Sequence, residues 1–201
     1  MSYRVEEKIS VSSSKLFDIR EWVLKNKGER LFETRTVSST YFDNESLQMY
    51  RDSEEGSTPR KKIRVRSYFK GRHTLADSTL EIKISSVEGR YKSSIKDFNL
   101  DKALKHGIYE KDYGICYPIV RVSYSREYYK VYGIRLTIDT NIEYSNIGLN
   151  KESSFKITDP ENIVEIKAPF NISKDFLDEK FFFQRVRFSK YCRAIDLLKV
   201  V

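Results

Sequence analysis

Apolar and polar positions alternate along most of this chain. From Tyr3 to Val11, Val5, Ile9 and Val11 share one face, and Arg4, Glu6, Lys8 and Ser10 share the other, the period of a half-buried strand. Glu33–Phe42 reads as a second strand. Arg60–Tyr68 alternates strongly, with Arg60, Lys62, Arg64 and Arg66 opposite Ile63 and Val65. Lys70, Gly71 and Arg72 mark a hairpin turn, and in Thr79–Ser85 the side chains of Leu80, Ile82 and Ile84 oppose Glu81, Lys83 and Ser85. After the turn at Gly89, Arg90, Lys92 and Ser94 share a face. Ile119–Lys130 is a strand rich in Val and Tyr. A turn at Tyr132 and Gly133 leads into Ile134–Glu143, where Arg135, Thr137 and Asp139 oppose Ile134, Leu136 and Ile138. Ile163–Ala168 follows, with Glu165 and Lys167 against Val164 and Ile166.

Helical spacing appears in fewer places. Ser12, Ser13 and Ser14 offer N-caps for a helix to about Asn26, with Leu16, Ile19, Trp22 and Val23 as its apolar stripe and Gly28 as its stop. Short helices are expected over Glu45–Asp52, Leu100–His106 and Ser173–Lys180. Ser189–Lys199 closes the chain with Ala194, Ile195, Leu197 and Leu198 as apolar positions. Asp52–Pro59 is a polar loop. Neither a repeat nor a linker divides the sequence, so residues 1–201 are expected to form a single domain.

The polar faces are unusual, because they carry full charges instead of the Ser, Thr and Asn of an ordinary solvent face. Two architectures accommodate them. An open sheet packs helices on its apolar side and shows the charges to water. Alternatively the charged faces turn inward around a water-filled tunnel and the helices cover the outside, which also removes the sheet edges. A tunnel lined by cations alone repels itself. Here both signs are interleaved: Glu6 beside Lys8, Glu81 beside Lys83, Arg135 near Asp139, Glu165 beside Lys167. Guanidinium and ammonium groups hold phosphate oxygens, and carboxylates hold a hard metal ion.

Composition narrows the alternatives. Aromatic residues make up 13% of the chain, too many for a disordered polyelectrolyte. No run of about 18 apolar residues is present, so no membrane span is expected. The charge-dense start lacks the apolar core of a secretory signal. Cys116 and Cys192 are too few for a disulfide scaffold and fit a cytoplasmic setting; both read as buried thiols. His73 and His106 have no partner at metal-ligand spacing and read as a turn residue and a helix end. The net charge of +8 suggests an anionic partner. Nucleic acid is not expected, because the cations are spread over many strands and mixed with carboxylates that repel its backbone.

Nine short segments, in order, resemble those of the VTC (vacuolar transporter chaperone) polyphosphate polymerase domain, a branch of the CYTH-like triphosphate tunnel metalloenzymes. They are EEK at Glu6–Lys8, STYFDN at Ser39–Asn44, KIRVRSY at Lys62–Tyr68, LEIKIS at Leu80–Ser85, GRYKSS at Gly89–Ser94, VSYSREYY at Val122–Tyr129, GIRLTID at Gly133–Asp139, VEIKAP at Val164–Pro169 and RFSKYCRA at Arg187–Ala194. Each is weak alone; their order and spacing are specific.

The resemblance implies an α+β fold: a closed antiparallel eight-stranded β-barrel with a charged lumen and helices packed outside. It implies a site for the γ-phosphate of ATP, with phosphate ligands at Lys8, Arg64, Arg66, Lys83, Lys92, Arg126 and Arg135, joined by Arg187, Ser189 and Lys190. The metal carboxylate maps to Glu165. Glu6 and Glu81 are candidate helpers, and Lys167, on the face of Glu165, a further phosphate ligand. With Mn²⁺ or Mg²⁺, the implied activity is transfer of the γ-phosphate of ATP onto polyphosphate, where positioning and charge neutralisation dominate. Attack by water would make the same site a triphosphatase or polyphosphatase, and loss of turnover would leave a polyphosphate-binding module. The hydrolase branches start with E-x-E-x-K. Here Arg4 stands first, giving R-x-E-x-K, a departure that leans toward the polymerase. The resembling eukaryotic proteins also carry a regulatory domain and membrane helices; this sequence shows neither, so coupling of synthesis to transport is expected to need a separate membrane partner or not to occur.

Overall fold

The computed structural model describes residues 4–70, 74–148, 151–169 and 171–200. The expected turn at Gly71 and Arg72, His73 with it, and the strand start at Tyr3 lie outside the described residues.

The elements run β1 (Arg4–Ser12), α1 (Ser13–Lys25), β2 (Glu29–Asp43), α2 (Gln48–Glu55), β3 (Arg60–Lys70), β4 (Thr74–Ser86), β5 (Gly89–Lys96), α3 (Leu100–His106), β6 (Ile108–Glu110), β7 (Gly114–Val131), β8 (Ile134–Gly148), β9 (Lys151–Thr158), β10 (Glu161–Pro169), α4 (Lys174–Lys180) and α5 (Lys190–Leu198). The fold is α+β and its described strand registers are antiparallel. Strand order is β1-β10-β8-β7-β2-β3-β4-β5, with β6 added to β7 and β9 to β8. The eight strands of the main path are those the alternation predicts.

The closed barrel is not what forms. The path has two ends, β1 and β5, which do not pair with each other among the described residues. Two features account for this. Beyond β1, the Lys8 carbonyl accepts from the Val186 amide at 2.8 Å, so the C-terminal segment takes up part of the outer edge of β1. At the other end, β5 is exposed over most of its length and carries Arg90, Lys92 and Lys96, charges that guard a free edge.

The chain divides into two compact units. The first comprises Met1–Arg35, Tyr124–Ile142 and Asp159–Phe188. Its core forms where Ile9 and Val11 of β1, Leu136 and Ile138 of β8, and Val164 and Ile166 of β10 meet the stripe Leu16, Ile19 and Val23 of α1. Glu7 shares the apolar face of β1 and is satisfied there by Arg185, whose Nε donates to Glu7 Oε2 at 2.5 Å. Trp22 packs against Phe181 and Phe183, with ring centroids 5.2 and 5.5 Å away. The stop after α1 requires glycine: a Cβ on Gly28 would lie 2.5 Å from Val23 Cγ1 and 2.8 Å from the Val23 carbonyl oxygen.

The second unit comprises Thr36–Ser123, Glu143–Thr158 and Ser189–Val201. Ile63 faces Ile82, and Val65 faces Leu80, across β3 and β4. Lys61 shares this apolar face and is buried against Glu110, 2.5 Å away, and Asp112. Helix α2 begins at Gln48, three residues later than Glu45. Asp43, fully buried, accepts from the amides of Asn44, Met49 and Tyr50, and Asn44 Oδ1 accepts from the Gln48 amide. The cap therefore reaches in from upstream. Strands β6 and β9 are additions the alternation does not announce.

Candidate functional site

In the first unit, antiparallel register places the charged side chains of β1, β10 and β8 in rows. Glu6 lies opposite Lys167, which lies opposite Arg135; Lys8 lies opposite Glu165, which lies opposite Thr137. The Lys167 ammonium is 2.8 Å from Glu6 Oε1 and 3.2 Å from Glu165 Oε1. From β7, Arg126 donates to Asp139 through Nε at 2.5 Å and Nη2 at 2.7 Å, and Nη2 is also 3.6 Å from Glu165 Oε2. Lys8 Nζ donates to the Phe188 carbonyl at 2.5 Å. This is not a solvated face: Glu165, Arg126, Asp139 and Thr137 are all buried.

Burial by itself would raise the Glu165 pKa. Lys167, Arg126, a hydrogen bond with Glu6, and Lys8 outweigh it and hold the carboxyl well below its ordinary value. Burial likewise opposes the charge on Arg126, but Tyr124, Asp139 and Glu165 outweigh it and keep the guanidinium ionised. The tyrosines of β7 carry cations: Arg126 lies 5.1 Å from the Tyr124 ring centroid and Arg135 5.5 Å from that of Tyr128.

Two polar atoms of this face, Arg135 Nε and Thr137 Oγ1, are buried with no hydrogen-bond partner among the described residues. Buried donors are ordinarily satisfied. Both lie on β8, in register with Lys167 and Glu165, and both can donate to an anion.

The same face offers oxygen ligands for a metal. Glu6 and Glu165 share the Lys167 ammonium. Among the described residues no group of three or more His, Cys, Asp and Glu side chains gathers as a metal site. Two carboxylates nevertheless suit a hard cation that completes its shell with water and phosphate oxygens.

The second unit holds its own cluster, centred on the buried Glu81. Arg64 donates to Glu81 Oε2 through Nε at 2.7 Å and Nη2 at 2.5 Å; Lys92 Nζ donates to Oε1 at 3.0 Å, and Arg66 Nη1 stands 3.8 Å from Oε2. Burial would raise the Glu81 pKa, but Arg64, Arg66 and Lys92 reverse it and hold the carboxyl well below its usual range. Glu81, three cations around it, sits in the second unit, whereas Glu6 and Glu165 sit in the first. In the adjacent row Lys62, Lys83 and Lys92 lie directly opposite one another on β3, β4 and β5. Like charges in register oppose sheet formation, and an anion relieves that cost. Lys62 Nζ also donates to Ser189 Oγ at 2.8 Å, and Ser189 caps α5 by accepting from the Cys192 amide.

The expected residues thus fall into two sets. Glu6, Lys8, Arg126, Arg135, Glu165 and Lys167 come together in the first unit; Arg64, Arg66, Glu81, Lys83 and Lys92, with Ser189 and Lys190 at the start of α5, lie in the second. Arg187 lies on the segment before α5 with its side chain exposed. Two residues of these faces were not named as ligands, Lys62 and Thr137, although the alternation puts them on the faces of Arg64 and Arg135.

Solved structures share the fold. A protein of Bacillus halodurans provisionally named an adenylate cyclase superimposes with a TM-score of 0.59 at 14% identity, covering 94% of this chain and 94% of that one. A protein of Vibrio parahaemolyticus with the same provisional name gives a TM-score of 0.58 at 15% identity, over 97% and 98% of the two chains. No curated protein sequence matches. The profile of the VTC domain family matches residues 3–114 and 99–199, and the chain belongs to that family. No helix among the described residues is long and apolar enough to cross a membrane.

Proposed function

We propose that this chain is a metal-dependent phosphotransferase that moves the γ-phosphate of ATP onto a growing polyphosphate chain, working as a single domain in the cytoplasm. The observation that carries the reading is the pair of buried, unpartnered donors, Arg135 Nε and Thr137 Oγ1, on a face that also presents Lys8, Lys167 and Arg126. Membership of the VTC domain family and the opposed lysines Lys62, Lys83 and Lys92 support it.

In this reading a terminal oxygen of polyphosphate attacks the γ-phosphorus. The bond from that phosphorus to the β,γ-bridging oxygen breaks, and ADP leaves with the electron pair. In the first unit Arg126, Arg135 and Lys8 neutralise charge on bound phosphate, as Arg64, Arg66 and Lys83 do in the second; Lys92, Lys167, Arg187, Ser189 and Lys190 are further phosphate ligands. Glu165 and Glu6 would hold Mn²⁺ or Mg²⁺, which supplies charge neutralisation and orientation of phosphate oxygens when bound. Arg4 in place of a carboxylate favours the polymerase over hydrolysis.

The test is incubation with ATP and Mn²⁺, resolving polyphosphate, ADP and free phosphate. Polymer with matching ADP, lost in Arg64→Ala and Glu165→Ala, is the expected result. Free phosphate without polymer would reassign the chain as a tunnel hydrolase. No turnover with retained polyphosphate binding would make it a binding module.

A further inference from the structure

The hydroxyl of Tyr41 occupies a position that its protein neighbours leave half used. Tyr41 lies on β2 directly opposite Arg64, is 6% exposed, and stacks on Tyr191 of α5 with ring centroids 5.2 Å apart and planes 20° apart. Its oxygen accepts from Arg64 Nη1 at 3.1 Å. Its own proton has no acceptor among the described residues. A phenol carries one donor as well as its acceptor sites, and a buried donor without an acceptor is costly.

The neighbours explain the vacancy. The charged groups with the largest effect on Tyr41 are Arg64 and Arg66 of β3 and Lys190 of α5, all cations, which offer hydrogens and accept none. The nearby acids are engaged elsewhere. Glu81 is held by Arg64, Arg66 and Lys92. Asp43, two residues along β2, accepts from the Tyr191 hydroxyl at 2.6 Å and from three backbone amides. Tyr191 cannot receive the proton by ring stacking. What the site lacks is an acceptor, and a group that satisfies Tyr41 while sitting among three cations is an anion with free lone pairs.

We propose that Tyr41 is a phosphate-contacting residue: its hydroxyl donates to a non-bridging oxygen of a bound phosphoryl group held by Arg64, Arg66 and Lys190. The inference rests on the phosphate reading of the site and adds to it a neutral donor among the cations. Such a donor reads the protonation of its ligand, because it needs an ionised oxygen facing it. It also ties ligand and protein titrations together. Burial would raise the Tyr41 pKa, but Arg64, Arg66 and Lys190 pull it below the usual tyrosine value. A phenolate would repel phosphate, so bound phosphate keeps the proton on Tyr41 to higher pH.

Two measurements test this, with sodium tripolyphosphate as the probe and the full chain as the protein. Calorimetric titration at pH 7.5 should show Tyr41→Phe binding the probe about tenfold or more weakly, the scale of a lost hydrogen bond to a charged group. Ultraviolet titration of tyrosinate should show one early-ionising tyrosine in the free wild type. That step should move upward with the probe and be missing from Tyr41→Phe. Phe keeps the ring and its stack on Tyr191, and a purely structural role would not couple tyrosinate formation to the probe. Equal affinity in wild type and variant, or a tyrosinate step indifferent to the probe, would overturn the inference and leave the phosphate reading standing. A wild type that does not bind tripolyphosphate would overturn both.

Discussion

Arg126 meets Asp139 side-on, Nε to Oδ1 at 2.5 Å and Nη2 to Oδ2 at 2.7 Å, with the carboxylate fully buried. Two parallel bonds from one guanidinium fix its plane. That plane also brings Nη2 to within 3.6 Å of Glu165, so the pair orients the Arg126 charge toward the candidate site as well as satisfying it.

Removing one partner strands the other in a buried position. Asp139→Ala should lower unfolding free energy by about 3–5 kcal/mol, measured by urea denaturation. A loss below about 1 kcal/mol would mean that water reaches Arg126 freely, against the burial described.

Thr137→Val should separate stability from binding. The side chains are nearly isosteric, and the hydroxyl has no partner to lose. Thermal stability should be unchanged or raised by about 1 kcal/mol. Tripolyphosphate affinity should fall several-fold. A variant that is destabilised yet binds normally would make the hydroxyl a structural group and remove the main support for the anion site.

Glu165 and Glu81 should make the protein acid-sensitive. Both folded carboxyls lie below their ordinary value of 4.5. The unfolded chain therefore binds more protons as pH falls through that value. The stability these groups contribute is complete above it and is lost as pH drops toward the folded values. Unfolding free energies measured from pH 7 down to 3 should decline, and Glu165→Gln should decline less steeply. An unchanged slope in that variant would count against the ion-pair assignment.

Cys116 and Cys192 should be inert in the native protein. Burial pushes Cys116 up to about 12 and raises Cys192 despite Lys62 and Ser189 nearby, so neither is a thiolate at neutral pH. An aromatic disulfide reagent at pH 8 should react with both only after denaturant is added. Prompt reaction in native buffer would show that this region opens readily.

The eight main strands could be read from the chain because a strand repeats every second residue, and Ile63, Val65, Leu80 and Ile82 keep that period beside Arg64, Arg66 and Glu81. The companions of Glu165 were legible for the same reason: Lys167 shares its parity. The start of α2 was not. It is set by Asp43, whose side chain reaches the Met49 amide six residues on, where the local signal at Glu45 suggested an earlier start. Closure of the sheet was not legible either, since it depends on what covers the outer edge of β1, and Val186 lies far away in sequence. Tyr41 stayed hidden because its role comes from the cations around it and not from its own segment.

The division of the chain bears on how the molecule is made. Each unit draws on three separated stretches, and the first cannot close before Asp159–Phe188, nor the second before Ser189–Val201, has been made. During synthesis Arg126 therefore waits for Glu165, and Lys8 waits for the backbone of Phe188. A nascent chain rich in unmatched cations emerges beside the anionic surface of the ribosome, and its final pairings span most of its length. Such long-range closure is slow compared with helix formation. The charged faces of each unit are therefore complete only once its last stretch has been made.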